Sequence, residues 1–147
     1  MATEKVDARD WVTSINTGSI AVPVWTAIGG IDEFGLAKSA TKTDTGDFDS
    51  NGKSEHNVME RGGSIALKGF FLEDLATKAR DAGQAAVETL AEAVGSASLG
   101  QFKFVSPAAT GKIAMASVEL DDVGGGKNAK TSWGCTLEFS GAVTVAP

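Results

Sequence analysis

The sequence predicts a mainly β domain with one helix, and three observations carry that prediction. Turn residues divide the 147 residues into short segments that are apolar or alternate between apolar and polar. One long segment, 72–94, instead has its apolar residues at the spacing of a helix face. The last segment, 130–145, alternates regularly, as a strand with one buried face does. We expect one domain over 1–147, because this length suits a single core.

The first strands are expected before residue 45. Residues 11–17 alternate, and residues 22–28 form a second strand that glycines terminate. Pro23 predicts an edge or entry position there, because proline cannot donate to a sheet ladder. Residues 34–45 have strand-like threonines but are polar on both faces, so this strand is either solvated or completed by another chain. Residues 1–10, rich in alternating charges, are expected to form a flexible arm.

The middle of the chain is interpreted as a long loop, a strand and the helix. Residues 45–63 are polar, with glycines near both ends, which predicts a loop with frayed strand ends. Residues 64–71 alternate as a strand does. The helix is expected over 72–94, with acidic residues at its positive amino end and Gly95 after its carboxyl end.

The remaining strands are expected at 101–105, 112–121 and 130–145. The glycines 124–126 suit a hairpin between the last two, because glycine readily adopts positive φ. Alternation then separates inward from outward residues along the final strand. The side chains expected in the core are Trp25, Leu67, Phe71, Leu75, Leu90, Trp133, Leu137 and Phe139.

Composition excludes several classes of function. The net charge of −6 provides no basic field to hold nucleic acid by its phosphates. Cys135 and His56 are the only residues of their kinds, which argues against paired-cysteine redox chemistry, histidine-rich metal sites and most catalytic triads. No segment has the length and apolar character of a membrane span. We expect no enzyme activity, no catalytic residues and no cofactor.

One acidic stretch has the opening spacing of a calcium loop. Asp47, Asp49 and Asn51 alternate before Gly52, as in loops where oxygens converge on a hard cation. The twelfth position is Val58, however, and cannot supply the bidentate carboxylate that such a loop needs. We therefore expect no metal site and interpret this stretch as an Asp, Asn and Gly-rich turn.

The order of features resembles the major tail tube proteins of long-tailed, non-contractile bacteriophages. The resemblance rests on a Trp and Gly segment at 24–31, an Asp-Thr-Gly-Asp-Phe-Asp-Ser-Asn-Gly segment at 44–52 and the strand at 64–70. It implies a two-sheet β-sandwich or barrel of the phage tail tube type, with the helix packed on its flank. It further implies hexameric rings that stack into a hollow tube, with four strands per subunit in the inner wall.

The resemblance also implies roles for particular residues. The loop over 45–63 would act in assembly, and its stacking residues would be Asp47, Phe48, Asp49, Asn51 and His56. Alternation groups the candidates for the channel wall, which are Ser39, Thr41, Thr43, Glu119, Asp121 and Glu138. An acidic wall would repel the phosphates of passing DNA.

The implied partners are other copies of the chain, a tail tip or initiator protein, a tape-measure protein and a tail terminator protein. Double-stranded DNA would pass without specific binding, no membrane would be involved, and the protein would be made in the host bacterial cytoplasm and located in the virion tail. Two alternatives remain open. One is a tube protein of a contractile tail or type VI secretion system, and the other is a monomeric β-sandwich module for capsid decoration or adhesion.

Overall fold

Seven strands and one α-helix account for the regular structure in the computed structural model, which describes residues 3–108 and 111–145. Their bounds are β1 Val12–Asn16, β2 Trp25–Ala27, β3 Ile31–Asp44, β4 His56–Phe70, α1 Ala82–Ala91, β5 Gly100–Val105, β6 Gly111–Leu120 and β7 Ser132–Val145. Short 3-10 helices occupy Ala8–Asp10, Phe48–Ser50 and Gly95–Ser98. The prediction of a mainly β fold with one helix is confirmed.

The strands of the described residues form one antiparallel sheet in the order β2-β1-β5-β6-β7-β4-β3. The expected division into two sheets is replaced by one sheet that curls onto itself. Phe34 of the edge strand β3 lies with its ring 5.1 Å from Phe104 of β5 and 5.7 Å from Trp11, which precedes β1. Opposite parts of the sheet therefore pack face to face, as the two layers of a sandwich or barrel would.

Residues 28–30 carry the chain from one end of this sheet to the other. Ile28 donates its backbone N–H to Thr13 of β1, and Phe70 of β4 donates to the carbonyl of Gly30. Gly30 has a φ of +75°, and a Cβ there would lie 2.6 Å from the Phe70 carbonyl oxygen. Glycine is required at this position because both the conformation and the close approach exclude a side chain.

The helix is shorter than predicted, because 72–81 is not helical. Asp81 is the N-cap of α1, and its carboxylate accepts a hydrogen bond from the Gln84 backbone N–H. Asp74 instead closes a local turn, since its carboxylate accepts from the N–H groups of Ala76 and Thr77. Aspartate side chains compete with helix formation in this way. The helix ends at Ala91, and the expected role of Gly95 as its terminator is wrong.

Most of the expected core residues are inside, with one clear exception. Leu67, Trp133 and Leu137 are buried, and three further expected residues, Phe71, Leu90 and Phe139, are half-buried against them. Leu75 is 87% exposed, because the turn around Asp74 directs it away from the sheet. Trp25 is half-buried, and the Lys103 amine lies 5.6 Å from the centre of its ring.

The last eight residues of the predicted loop over 45–63 belong to β4, so the bounds of the loop are corrected to 45–55. β4 already begins at His56, where it pairs with Asp44 of β3. The sequence signal was weak because 56–63 is exposed on both faces, and exposed strands lack the apolar alternation on which the prediction depends. Pairing with β3 supplies the hydrogen bonds that hold this segment extended.

A polar cluster joins α1 to the sheet. Arg80 forms a bidentate ion pair with Glu88, at 2.8 and 2.9 Å, and Glu88 also accepts a hydrogen bond from Trp133 Nε1 at 3.0 Å. The Arg80 guanidinium carbon lies 3.9 Å from the centre of the Phe71 ring. Hydrogen bonds from Arg80 lower the pKa of Glu88, against the opposing effect of partial burial.

Replacing Glu88→Gln should lower the free energy of unfolding by about 1–2 kcal/mol at neutral pH, because charge-assisted hydrogen bonds would be lost. A lowered pKa means that the stabilisation is present above the ordinary glutamate pKa of ~4.3 and is lost as the pH falls through the lower folded value. Urea unfolding at pH 7 and at pH 3 measures this. The variant should approach wild type at pH 3, and Glu92→Gln, exposed beyond the helix, is the control. An equal loss of unfolding free energy at pH 7 and at pH 3 would contradict the prediction.

Candidate functional site: a polar sheet face and a projecting hairpin

The face of the sheet that points away from the core, called the outer face below, is polar across four neighbouring strands. Strand register brings Ala37, Ser64, Glu138 and Ser117 into one row across β3, β4, β7 and β6. The next row contains Gly35, Ala66, Thr136 and Glu119. Every member of both rows is small, polar or acidic, whereas the opposite face of the same strands contains Ile65, Leu67, Cys135 and Leu137.

This face collects most of the residues predicted from alternation. Ser39, Thr41, Glu119 and Glu138 are exposed on it together. Asp121 comes directly after the last residue of β6, and its backbone N–H donates to the carbonyl of Gly134 in β7. Thr43 lies further along β3. Glu60 pairs with Thr41 and adds a further carboxylate to the outer face. The sequence does not indicate this residue, because its segment lacks the alternation that predicts a strand.

Beyond the sheet, β3 and β4 continue as a two-stranded hairpin, called the hairpin arm (38–44 with 56–63). β4 pairs with β7 only from Ser64 onward, whereas its pairing with β3 begins at His56. The arm is exposed along nearly its whole length. An extended ribbon with unpaired edges is an unusual feature in a globular domain, because such edges invite pairing with another chain.

The tip loop (45–55) of this arm has a defined conformation. Asp47 caps the 3-10 helix Phe48–Ser50: its carboxylate accepts from the Asp49 N–H, while Ser50 Oγ accepts from the Asp47 N–H at 3.0 Å. Asn51 adopts the left-handed conformation with a φ of 53°. The ring of Phe48 is completely exposed. Thus Asp47, Phe48, Asp49 and Asn51 lie together at the tip, whereas His56 stands at the start of β4.

The two faces of the hairpin arm differ in charge. Ser39, Thr41 and Glu60 continue the outer face. Alternation directs Lys38, Lys42 and Arg61 to the other side, which continues the core-facing surface. Arg61 joins Lys38 and Lys42 on this side through the register of β4 against β3.

Other groups singled out by sequence have structural surroundings. The Asp47 carboxylate takes part in the capping bonds, and within 3–108 and 111–145 no group of three His, Cys, Asp or Glu side chains is arranged to hold a metal ion. Burial, together with the charge of Asp121, raises the pKa of Cys135 to about 12, so the thiol stays protonated near neutrality. Among the described helices, none has the length and apolar character needed to cross a bilayer.

Comparison with known proteins finds similarity in structure and not in sequence. Neither a family model nor a curated protein sequence matches the chain. A chain from the C6-symmetric tail of an empty gene transfer agent particle superposes with a TM-score of 0.72 at 16% identity, over 96% of this chain and 98% of the other. A chain of the SPP1 tail tube gives a TM-score of 0.73 at 12% identity, over 96% and 78%.

A chain from the six-fold symmetrised baseplate of the anti-feeding prophage is also similar, with a TM-score of 0.60 at 11% identity, over 99% of this chain and 97% of the other. These similarities extend over 96–99% of this chain and are not limited to a fragment of it. The chain therefore has the tail tube fold, as the resemblance in its sequence implied.

Proposed function

We propose that this protein is the structural subunit of a phage-type tail tube, which polymerises as stacked hexameric rings into a hollow conduit for double-stranded DNA. The observation that carries the proposal is the outer face, which is polar and acidic across β3, β4, β7 and β6 on a tail tube fold. Its location would be the virion tail, and its role would be structural and not enzymatic. Its partners would be its own copies, then initiator, tape-measure and terminator proteins.

The barrel dimensions that the tail tube resemblance implies are compatible with this role. Six copies that each contribute four strands would give a barrel of about 24 strands. With strands ~4.8 Å apart and tilted by ~40°, the backbone diameter is about 48 Å. Subtracting side chains from both walls leaves a channel wide enough for a duplex of roughly 20 Å. The small residues in the rows of the outer face would keep such a wall smooth.

Charge on the outer face supports the passage of DNA and not its retention. Glu60, Glu119 and Glu138 would repeat six times in every ring. At physiological salt, repulsion between these carboxylates and phosphates acts over ~8 Å, so it would matter close to the wall. A basic wall would instead exchange counterions with the DNA and hold it.

Purified protein at high concentration should form six-fold rings or tubes with an open channel, which negative-stain electron microscopy detects. Closed rings are expected because head-to-tail contacts between identical subunits generate rings or helical arrays. Sedimentation gives an independent measure of polymer formation. Persistent monomers at every concentration would contradict the proposal and favour the alternative of a monomeric decoration or adhesion module.

The similarity to the anti-feeding prophage baseplate supports a second candidate within the same class. That candidate is a tube protein from a contractile tail or secretion system, built on the same fold and also arranged in rings. The genes beside the one for this protein separate the two. A sheath gene would favour the contractile candidate, whereas a long tape-measure gene without a sheath would favour the non-contractile tail.

Phe48→Ala should leave the subunit folded and impair tube formation. The ring is fully exposed, so its removal leaves no cavity, whereas an aromatic anchor at an interface contributes up to several kcal/mol. Sedimentation and microscopy across a concentration series measure the loss. Leu75→Ala is a matched control, because Leu75 is 87% exposed on the turn before α1. Equal assembly of both variants and wild type would remove Phe48 from the interface.

Glu138→Lys should leave tubes intact but make them retain double-stranded DNA at low salt. The substituted side chain would place a ring of positive charge in the centre of the outer face. Cosedimentation of DNA with tubes measures this retention. Repeating it at salt concentrations from about 20 to about 200 mM measures the salt dependence. Glu92→Lys, an equal charge change at the C-cap of α1, is the control. If Glu92→Lys tubes retained as much DNA, Glu138 would not face the channel.

A further inference from the structure

A groove lies at the base of the hairpin arm, on the side opposite the outer face. It has a volume of about 320 Å³, at the lower end of the roughly 300–1,000 Å³ range of binding pockets. Three of its lining side chains, Leu36, Phe139 and Val143, are apolar. Leu36 and Val143 remain 37% and 43% exposed, so apolar surface is left open to solvent here.

Cations surround this apolar surface, so it is called the basic groove below. Lys38, Arg61 and Lys112 line it, and no carboxylate does so among the described residues. The one ion pair found in 3–108 and 111–145 joins Arg80 to Glu88, so none of these three cations has an ion-pair partner there. The basic groove is therefore suited to a segment that combines an apolar side chain with flanking negative charge.

The tip loop has this combination. Phe48 is fully exposed between Asp47 and Asp49, and the loop with its flanks carries four carboxylates, which are Asp44, Asp47, Asp49 and Glu55, against one cation, Lys53. The capping bonds at Asp47 hold the backbone of the 3-10 helix, and so the position of the Phe48 Cα, before binding. A pre-ordered segment loses less conformational entropy on docking.

A subunit cannot place its own tip loop in its own basic groove. The groove includes Lys38 and Arg61 at the base of the arm, and the tip follows Asp44 at its far end. Six residues of paired strand at ~3.3 Å each separate base and tip by about 20 Å. A tip loop in this groove would therefore belong to another copy, and such a contact joins two different surfaces and can propagate indefinitely.

We propose that the basic groove receives the Asp47-Phe48-Asp49 segment of a second copy of this chain. The proposal rests on the proposed function and deepens it, since it names the receptor surface for the tip loop. Phe48 lies against Leu36, Phe139 and Val143, while the two aspartates face Lys38, Arg61 and Lys112. Copies joined in this way are displaced along the arm, which gives the direction of stacking.

Disulfide trapping between two populations of the chain tests the contact whether or not tubes form. Chains with Ser50→Cys, which keep Phe48 and both aspartates of the segment, are mixed with tagged chains carrying Val143→Cys and oxidised by air with a copper catalyst. The native Cys135 does not compete, because it is buried and its thiol pKa is raised to about 12. We expect at least several-fold more disulfide between positions 50 and 143 than between 50 and Leu75→Cys, a matched exposed position. Equal yields, or no disulfide to position 143, would overturn the proposal.

Charge reversal separates this proposal from the proposed function. Arg61→Glu and Asp49→Lys should each raise the concentration needed for tube formation at least about tenfold, because like charges would meet. The double variant should recover assembly. If wild type forms tubes while the single variants assemble normally, or the double variant stays defective, the groove assignment fails and the tube assignment stands. If wild type forms no tubes, the tube assignment fails, and the trapping experiment alone decides the groove.

Discussion

The pairing of β3 with β4 is the constraint on which both candidate surfaces depend. Over 13 paired positions, from Ile31 with Gly69 to Asp44 with His56, the register determines which side chains share a face. A shift of one residue would exchange Ile65 and Leu67 with Ser64 and Ala66, and the core would be lost. The buried half of this hairpin therefore fixes the register, which continues into the exposed half as far as the bulge between Thr41 and Lys42.

The unequal length of the pairing partners produces the hairpin arm. β7 follows β4 only over 64–70, so the remaining part of β4 has β3 as its one neighbour. Apolar packing stabilises the paired base, while backbone hydrogen bonds and strand twist hold the rest extended. A bulge between Thr41 and Lys42 lies in this exposed part. Such bulges disturb ladder pairing and occur often at edges, where they limit unwanted pairing.

The curled shape of the sheet depends on hydrogen bonds made by the side chain of Gln84 in α1. Its amide donates to the carbonyls of Gly29 and Phe70, and its oxygen accepts from the Leu72 N–H. This side chain is completely buried, so each of its partners is needed to offset desolvation. Gly83, beside it, allows close contact with β2, because a Cβ there would lie 2.2 Å from the Ala27 carbonyl oxygen. The helix thereby holds the two ends of the curled sheet together.

The sequence alone determined the mainly β class, the single helix and the alternation of β7. It also grouped Ser39 with Thr41, and Glu119 with Asp121, as residues that share a strand face. Period-two patterns and turn residues are local properties, so they can be recognised without the fold. The helix expected from residue 72 begins only at Ala82, since Asp74 closes a local turn that the apolar spacing does not reveal. Residues 56–63 gave no strand signal, because their extended form depends on a partner strand. Only the tertiary structure placed Glu60 beside Glu138 on the outer face and Arg61 beside Lys112 in the basic groove. These residues meet through strand register and sheet curvature, which depend on contacts between segments that are distant in the chain.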